Sequence, residues 1–317
     1  MKRICSISIF LLVAVSCFAQ QDAQYNQYIF NELVINPAYA GTKEIINANA
    51  FFSKQWFGLD GSPSTQTVSI DGPVGDKMGL GLQIINDNIG PQSQQSIFGS
   101  YAYKLRINDN YKLSLGLALG ASYYSLDGKD MTTATPDDPA VPKILESKLL
   151  MDAKTGLFFY SDRFYAGLSV TDLLANSSKN NPFYTEEVRN YFLTSGYVFD
   201  VLPKLKIKPS FLLKHAYESP SNIDINVFFL YDLRFWIGGT YRFGSKLLSN
   251  NSLSSSLEDR DGFVIMLDYN VNEKFRVGYA YNMTTSIFQS YTSHEISLGY
   301  FIPSKVPVKK MDNIRNF

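Results

Sequence analysis

Between Lys112 and Tyr123 the chain alternates at every second residue. Leu113, Leu115, Leu117, Leu119, Ala121 and Tyr123 fall on one face, and Ser114, Gly116, Ala118, Gly120 and Ser122 fall on the other. Successive side chains of a strand point to opposite sides, so this stretch predicts a strand with one oily face and one small, polar face. The pattern recurs through most of the chain. Period-two segments cover approximately 45–56, 64–73, 77–88, 95–107, 110–125, 152–162, 163–172, 189–200, 204–215, 222–233, 234–244, 262–271, 274–286 and 293–302. That is fourteen candidate strands. Most are near the roughly 9–11 residues that a tilted strand needs to cross a bilayer, and bacterial outer-membrane barrels have an even strand number.

The polar faces carry the charges: Lys104 and Arg106 on one strand, Lys206, Lys208 and Lys214 on another, Lys274 and Arg276 on a third. A Lys or Arg facing lipid costs about 2–4 kcal/mol at the bilayer midplane. A one-residue slip would turn Lys206, Lys208 and Lys214 outward together, so register is strongly set and these seven side chains are expected to line the lumen. The connections add an independent sign, because they run alternately longer and short. Asn108-Asp109-Asn110, Ser161-Asp162-Arg163, 200–203, Asp232-Leu233 and Asn272-Glu273 are short, whereas 125–151, 172–188 and 244–261 are long. Outer-membrane barrels pair short periplasmic turns with longer extracellular loops. The prediction is an all-β chain forming a transmembrane antiparallel β-barrel of about 14 strands, with both termini in the periplasm.

The first residues read as an export signal. Lys2 and Arg3 precede an apolar run from Ile4 to Phe18, and Ala19 is a small residue before a cleavage point at Gln20. Ala14-Val15-Ser16-Cys17 offers a second reading, a lipoprotein box with Cys17 lipidated. Both cysteines, Cys5 and Cys17, lie in this region, so cleavage after Ala19 removes every thiol from the mature chain. The expected divisions are a signal peptide at 1–19, an N-terminal periplasmic or lumenal segment at 20–44, the barrel at 45–302 and a C-terminal periplasmic tail at 303–317. Composition agrees: 21 Tyr and 23 Phe suit strands and interfacial girdles, and a mean hydropathy of −0.10 suits walls that face lipid on one side only. Lys+Arg and Asp+Glu both count 29, so no basic excess points to nucleic acid.

The segment after the signal does not alternate. It reads Tyr25-Asn26-Gln27-Tyr28-Ile29-Phe30-Asn31-Glu32-Leu33-Val34-Ile35-Asn36-Pro37-Ala38-Tyr39-Ala40-Gly41. Lys54-Gln55-Trp56-Phe57-Gly58-Leu59-Asp60-Gly61, Gly79-Leu80-Gly81-Leu82 and Asn86-Asp87-Asn88-Ile89-Gly90-Pro91 follow, then Tyr160 to Ser169 and His294 to Leu298. In this order they resemble the PorP/SprF family of type IX secretion system membrane proteins, over essentially the whole mature chain. The resemblance implies a non-enzymatic outer-membrane barrel working in type IX secretion or gliding motility. Its partners would be membrane lipid and either the periplasmic machinery or a large secreted surface adhesin, with no cofactor and no metal. The tail beyond the last strand departs from barrels that end on an aromatic; Phe301 would take that place, leaving Lys305, Lys309, Lys310 and Arg315 in a basic extension.

Tyr25, Tyr28, Phe30, Asn36, Pro37, Tyr39 and Gly41 are the candidate partner-binding or plug residues. Pro37 restricts its own φ and biases Asn36 toward extended geometry, and Gly41 permits a turn. The structural alternative is a rigid cap over the barrel floor. Lys54, Trp56 and Asp60 are candidates for contact with an exported protein, with an interfacial Trp and mutually satisfied charges as the alternative. Asp137 and Asp138, or Glu258, Asp259 and Asp261, lack the ligand spacing of a calcium loop. Catalysis finds little support: His215 and His294 are the only histidines, and neither has an orienting acid at useful spacing, although His215 with Ser219 is the one conceivable pair. A passive or substrate-specific channel with a cationic lumen is the competing functional reading.

Overall fold

A computed structural model describes residues 26–128, 144–174, 188–216, 220–245, 262–284 and 290–302. In chain order the strands are β1 (Ile46–Lys54), β2 (Ser64–Val74), β3 (Met78–Ile89), β4 (Gln92–Arg106), β5 (Lys112–Asp127), β6 (Leu145–Tyr160), β7 (Phe164–Thr171), β8 (Asn190–Tyr197), β9 (Phe199–Leu202), β10 (Leu205–Ala216), β11 (Ser221–Tyr231), β12 (Phe235–Ser245), β13 (Gly262–Asn270), β14 (Phe275–Thr284) and β15 (Thr292–Ile302). Each pairs antiparallel with its neighbour, and β1 pairs with β15 from Ile46↔Ile302 to Lys54↔His294, closing the sheet into a barrel. Strands β8 and β9 both pair with β10 and are two parts of one crossing, so the barrel has 14 strands. The interruption lies opposite Pro209, whose nitrogen has no hydrogen to give to the ladder.

Closure removes the sheet edges, which is what allows strands to stand in hydrocarbon. Outward positions are apolar and exposed, as in Leu115, Leu117 and Leu119 of β5 and Phe263, Ile265 and Leu267 of β13. Inward positions between them are buried. The short turns lie at one end: 75–77, 107–111, 161–163, 203–204, 232–234 and 271–274. The opposite end carries the long connections, but their alternation with short ones breaks twice, at β3–β4 and at β10–β11, where only 217–220 intervene. Residues expected to form a loop, Gln92 to Gln94, extend β4, and Gly90 and Pro91 alone join it to β3. Strand β6 likewise begins at Leu145 rather than near 152, because Leu145, Ser147, Leu149 and Met151 continue its outward face in register with β5. The Asp137/Asp138 and Glu258/Asp259/Asp261 clusters, Ser219 and the tail from Pro303 lie outside the described residues.

Candidate functional site

The lumen is not empty. Residues from Asn26 to Lys43 run inside the barrel as three 3-10 turns, Gln27–Phe30, Glu32–Val34 and Pro37–Tyr39. Every residue from Asn26 to Lys43 is buried, among strand side chains that point inward. The described segment starts in the long-loop half of the barrel and descends to the short-turn end, where it feeds β1. Tyr25 lies outside the described residues.

At its start, Glu295 of β15 accepts the backbone N–H groups of Asn26 at 3.2 Å and Gln27 at 3.0 Å. Arg242 forks onto Asp224 with two 2.7 Å bonds and also donates to Asn26 Oδ1 at 3.2 Å. The Tyr28 hydroxyl accepts from Asn226 Nδ2 at 2.9 Å. Phe30 sits edge-on to Phe228 and Trp236, with ring centroids 5.7 and 6.0 Å away, and under the Arg276 guanidinium at 4.8 Å. Ile29, Val34 and Ile35 share this apolar cluster with Val264 and Met266 of β13 and Leu212 of β10. These strand residues face the lumen, where a water-filled barrel would carry polar groups. They were missed as a site. The signal was available in the sequence: apolar residues on the charged face of a strand need a dry partner.

The lower half explains the Asn36-Pro37-Ala38-Tyr39-Ala40-Gly41 motif. Asn36 Oδ1 accepts from Ala38 N at 2.9 Å, and its Nδ2 donates to Leu157 O at 3.0 Å. Ser169 Oγ donates to Ile35 O at 2.7 Å. The wall beneath is built of glycines. A Cβ on Gly79 would stand 2.0 Å from Ala40 O, one on Gly116 2.1 Å from Ala38 N, and one on Gly156 2.2 Å from Asn36 Oδ1. No side chain larger than hydrogen fits between this segment and β3, β5 and β6. Tyr39 packs edge-on to Phe158 at 5.4 Å. Gly41 has φ +68°, the left-handed region, and its N–H goes to Asp71 Oδ2 at 2.9 Å.

Buried charges on the segment meet charges on the wall. Glu32 receives a 3.5 Å bond from Thr194. Burial pushes its carboxyl up from 4.5 to about 7, with the nearby Lys208 ammonium pulling the other way. Burial likewise pushes the Lys43 ammonium down from 10.5 to about 7, with the Arg276 charge acting in the same direction. Lys43 Nζ donates to Phe30 O at 3.1 Å, folding the segment back on itself.

Among the seven expected lumenal cations, Lys104, Lys208, Lys214 and Arg276 point inward. Lys104 Nζ donates to Gly41 O at 3.2 Å, and Arg276 forms an ion pair with Asp268 at 3.2 Å. Arg106, Lys206 and Lys274 stand instead at the short-turn rim. Arg106 pairs with Asp109 at 2.5 Å with a side chain 68% exposed, Lys206 pairs with Asp200 at 2.6 Å, and Lys274 is exposed. The lumen is also not cationic. Asp71, Asp152, Asp224, Asp268, Glu32 and Glu295 are buried with those cations and compensate them. The five on strands occupy inward positions of the same alternation, and Glu32 lies on the lumenal segment.

Lys54, Trp56 and Asp60 do not join this site. Lys54 Nζ donates to Ser62 O at 2.8 Å, Trp56 has φ +48° and its N–H reaches Ser293 Oγ at 3.3 Å, and Asp60 is exposed in the β1–β2 loop. His215 meets Ser221 Oγ at 3.0 Å, and His294 meets the Tyr279 hydroxyl at 2.7 Å.

Comparison with known proteins follows from this geometry. The family model described as "Type IX secretion system membrane protein PorP/SprF" matches residues 17–300. No curated protein in the comparison matches the chain. Among solved structures, the chain is similar to the CymD monoaromatic hydrocarbon channel, with TM-score 0.48, 10% identity, and coverage of 87% of this chain and 93% of that one. It is also similar to the Acinetobacter baumannii outer membrane protein Omp33, with TM-score 0.46, 7% identity, and coverage of 82% and 100%.

Proposed function

The chain belongs to the PorP/SprF family of type IX secretion system membrane proteins and is an outer-membrane β-barrel component of that system; from this we propose that it works by binding protein partners rather than by conducting solutes. In this reading the signal peptide is removed after export and the short-turn end, where β15 finishes, faces the periplasm and meets the machinery. The long-loop end then holds or helps export a large surface adhesin. The amino-terminal end was expected in the periplasm too, but the described chain leads down from Asn26 in the long-loop half.

One observation carries the reading: the lumen is occupied by a segment that the wall is shaped to receive, through the Gly79, Gly116 and Gly156 cradle. A conduit would need that space. The alternative, a passive or substrate-specific channel with a cationic lumen, is weakened by the same filling and by the compensating carboxylates.

Planar bilayers containing the full chain test it, together with mass spectrometry of proteins cross-linked to it in outer membranes. The expected result is no steady conductance and a large secreted protein or periplasmic machinery captured. Steady conductance from the intact chain, with no protein captured, would establish the channel instead.

A further inference from the structure

Above the 3-10 turns a cavity of about 100 Å³ opens on the long-loop side of the lumen. Tyr28, Val34 and Ile35 floor it, and Phe98, Phe192 and Leu212 give it apolar walls. Its charges are unequally engaged. Asp224 is held by Arg242, Asp87 accepts the Thr65 hydroxyl at 2.5 Å, and Asp172 accepts from Thr171 at 2.6 Å and Asn190 at 3.1 Å. Lys154 is different. It is 8% exposed, and its Nζ stands 3.8 Å from the centre of the Phe98 ring. Among the described residues it has no hydrogen bond and no ion pair. The nearest acid on its own strand, Asp152, turns Oδ1 to the Leu174 N–H at 3.1 Å; the Lys154 charge acts on this carboxyl, but no hydrogen bond joins the two.

An ammonium held largely out of water with no hydrogen-bonded anion carries a desolvation penalty, and one aromatic face and the Asp152 charge offset only part of it. Its position is fixed from below by the cradle, since Lys154 lies one inward position above Gly156. A cavity of this kind, with apolar walls and an ammonium that lacks a hydrogen-bonded anion, matches a carboxylate attached to an apolar group. A cavity of about 150 Å³ accepts benzene, so this smaller one limits the apolar group to a short aliphatic chain.

We propose that the cup between the lumenal segment and the long-loop end is a binding site for a carboxylate bearing an aliphatic group, with Lys154 as its anion partner and Phe98, Phe192 and Leu212 as its apolar wall. The carboxylate accepts from Nζ, which keeps its place over Phe98, and the aliphatic group descends onto Val34 and Ile35. The same chemistry belongs to a small branched carboxylate and to the last residue of a polypeptide. The site does not depend on which partner protein the barrel serves.

Calorimetric titration of the full chain in micelles tests this with four probes: N-acetylleucine, N-acetylleucinamide, and a ten-residue peptide ending in leucine with a free or an amidated terminus. Saturable binding of a free acid is expected, with its amide weaker by about tenfold or more, the scale of a lost charge-assisted hydrogen bond. Lys154→Met should abolish the preference for acid over amide, and Lys154→Arg should keep it. If Lys154→Met does not insert, the acid–amide comparison on the unchanged chain still decides. Binding of the peptide acid alone assigns the site to a chain end, and binding of N-acetylleucine alone assigns it to a small carboxylate. Equal binding of acid and amide, no binding of either acid, or an acid preference that survives Lys154→Met would overturn the proposal.

Discussion

Replacing Gly116 by alanine puts one methyl group on the lumenal face of β5, where the cradle has no room for it. The new Cβ would stand 2.1 Å from Ala38 N, 2.4 Å from Ala38 Cα and 2.5 Å from Pro37 C. All three are backbone atoms, so no rotamer change relieves the contact. Ordinary contact begins near 3.4 Å, so segment and wall must separate by more than about 1 Å. That movement stretches the 3.0 Å bond from Asn36 Nδ2 to Leu157 O beyond useful length. Overpacking costs about 1–3 kcal/mol, and a buried group left without its partner costs about 1–3 kcal/mol more. The stiffer unfolded chain returns about 0.4–1 kcal/mol. The net expectation is a loss of about 1–6 kcal/mol. Gly99→Ala is the control, since Gly99 faces outward and a Cβ there would come no nearer than 4.0 Å to its neighbour Leu119 O; it should be neutral or slightly stabilising. Trp236, beside Phe30, reports the segment directly, and Trp56→Phe leaves it as the sole tryptophan. Urea unfolding in micelles followed by Trp236 emission gives both readings. Superimposable curves and unshifted emission for Gly116→Ala would refute the cradle.

Asn36→Ala removes the bonds to Ala38 N and Leu157 O and leaves both groups buried, so a loss of about 1–3 kcal/mol in the same titration is expected. Phe30→Ala empties the contact with Phe228, Trp236 and Arg276; a loss of about 3–5 kcal/mol and a red-shifted Trp236 emission should follow. Glu32 yields a pH test. Its folded value, about 7, lies above its unfolded 4.5, so between these the folded protein holds the extra proton and stability from this group falls as pH rises. Glu32→Gln should flatten that slope in urea midpoints measured from pH 4.5 to 7.5.

The strands were legible because lipid outside and polar groups inside impose a period of two, and the structure follows it from β1 to β15 with small shifts at the ends except in β6, which begins at Leu145 rather than near 152. The errors have physical causes. Gln92 to Gln94 are polar, which resembles a loop, but beyond the bilayer a ladder can continue with polar residues on both faces. The lumenal filling was only half legible. The unpatterned apolar run from Tyr28 to Tyr39 required burial somewhere, but its glycine wall could not be read, because Ala38 and Gly116 meet across a long stretch of chain. The rim positions of Arg106, Lys206 and Lys274 follow from strand ends that alternation alone does not locate.

The Glu295 grip on the Asn26 and Gln27 N–H groups joins residues 269 and 268 positions apart. The first part of the described chain is therefore fastened by its last strand, the same strand that seals the seam against β1. Sealing the wall and seating the amino-terminal segment are thus tied to one strand, so a change that loosens β15 reaches the seam and the lumenal filling together.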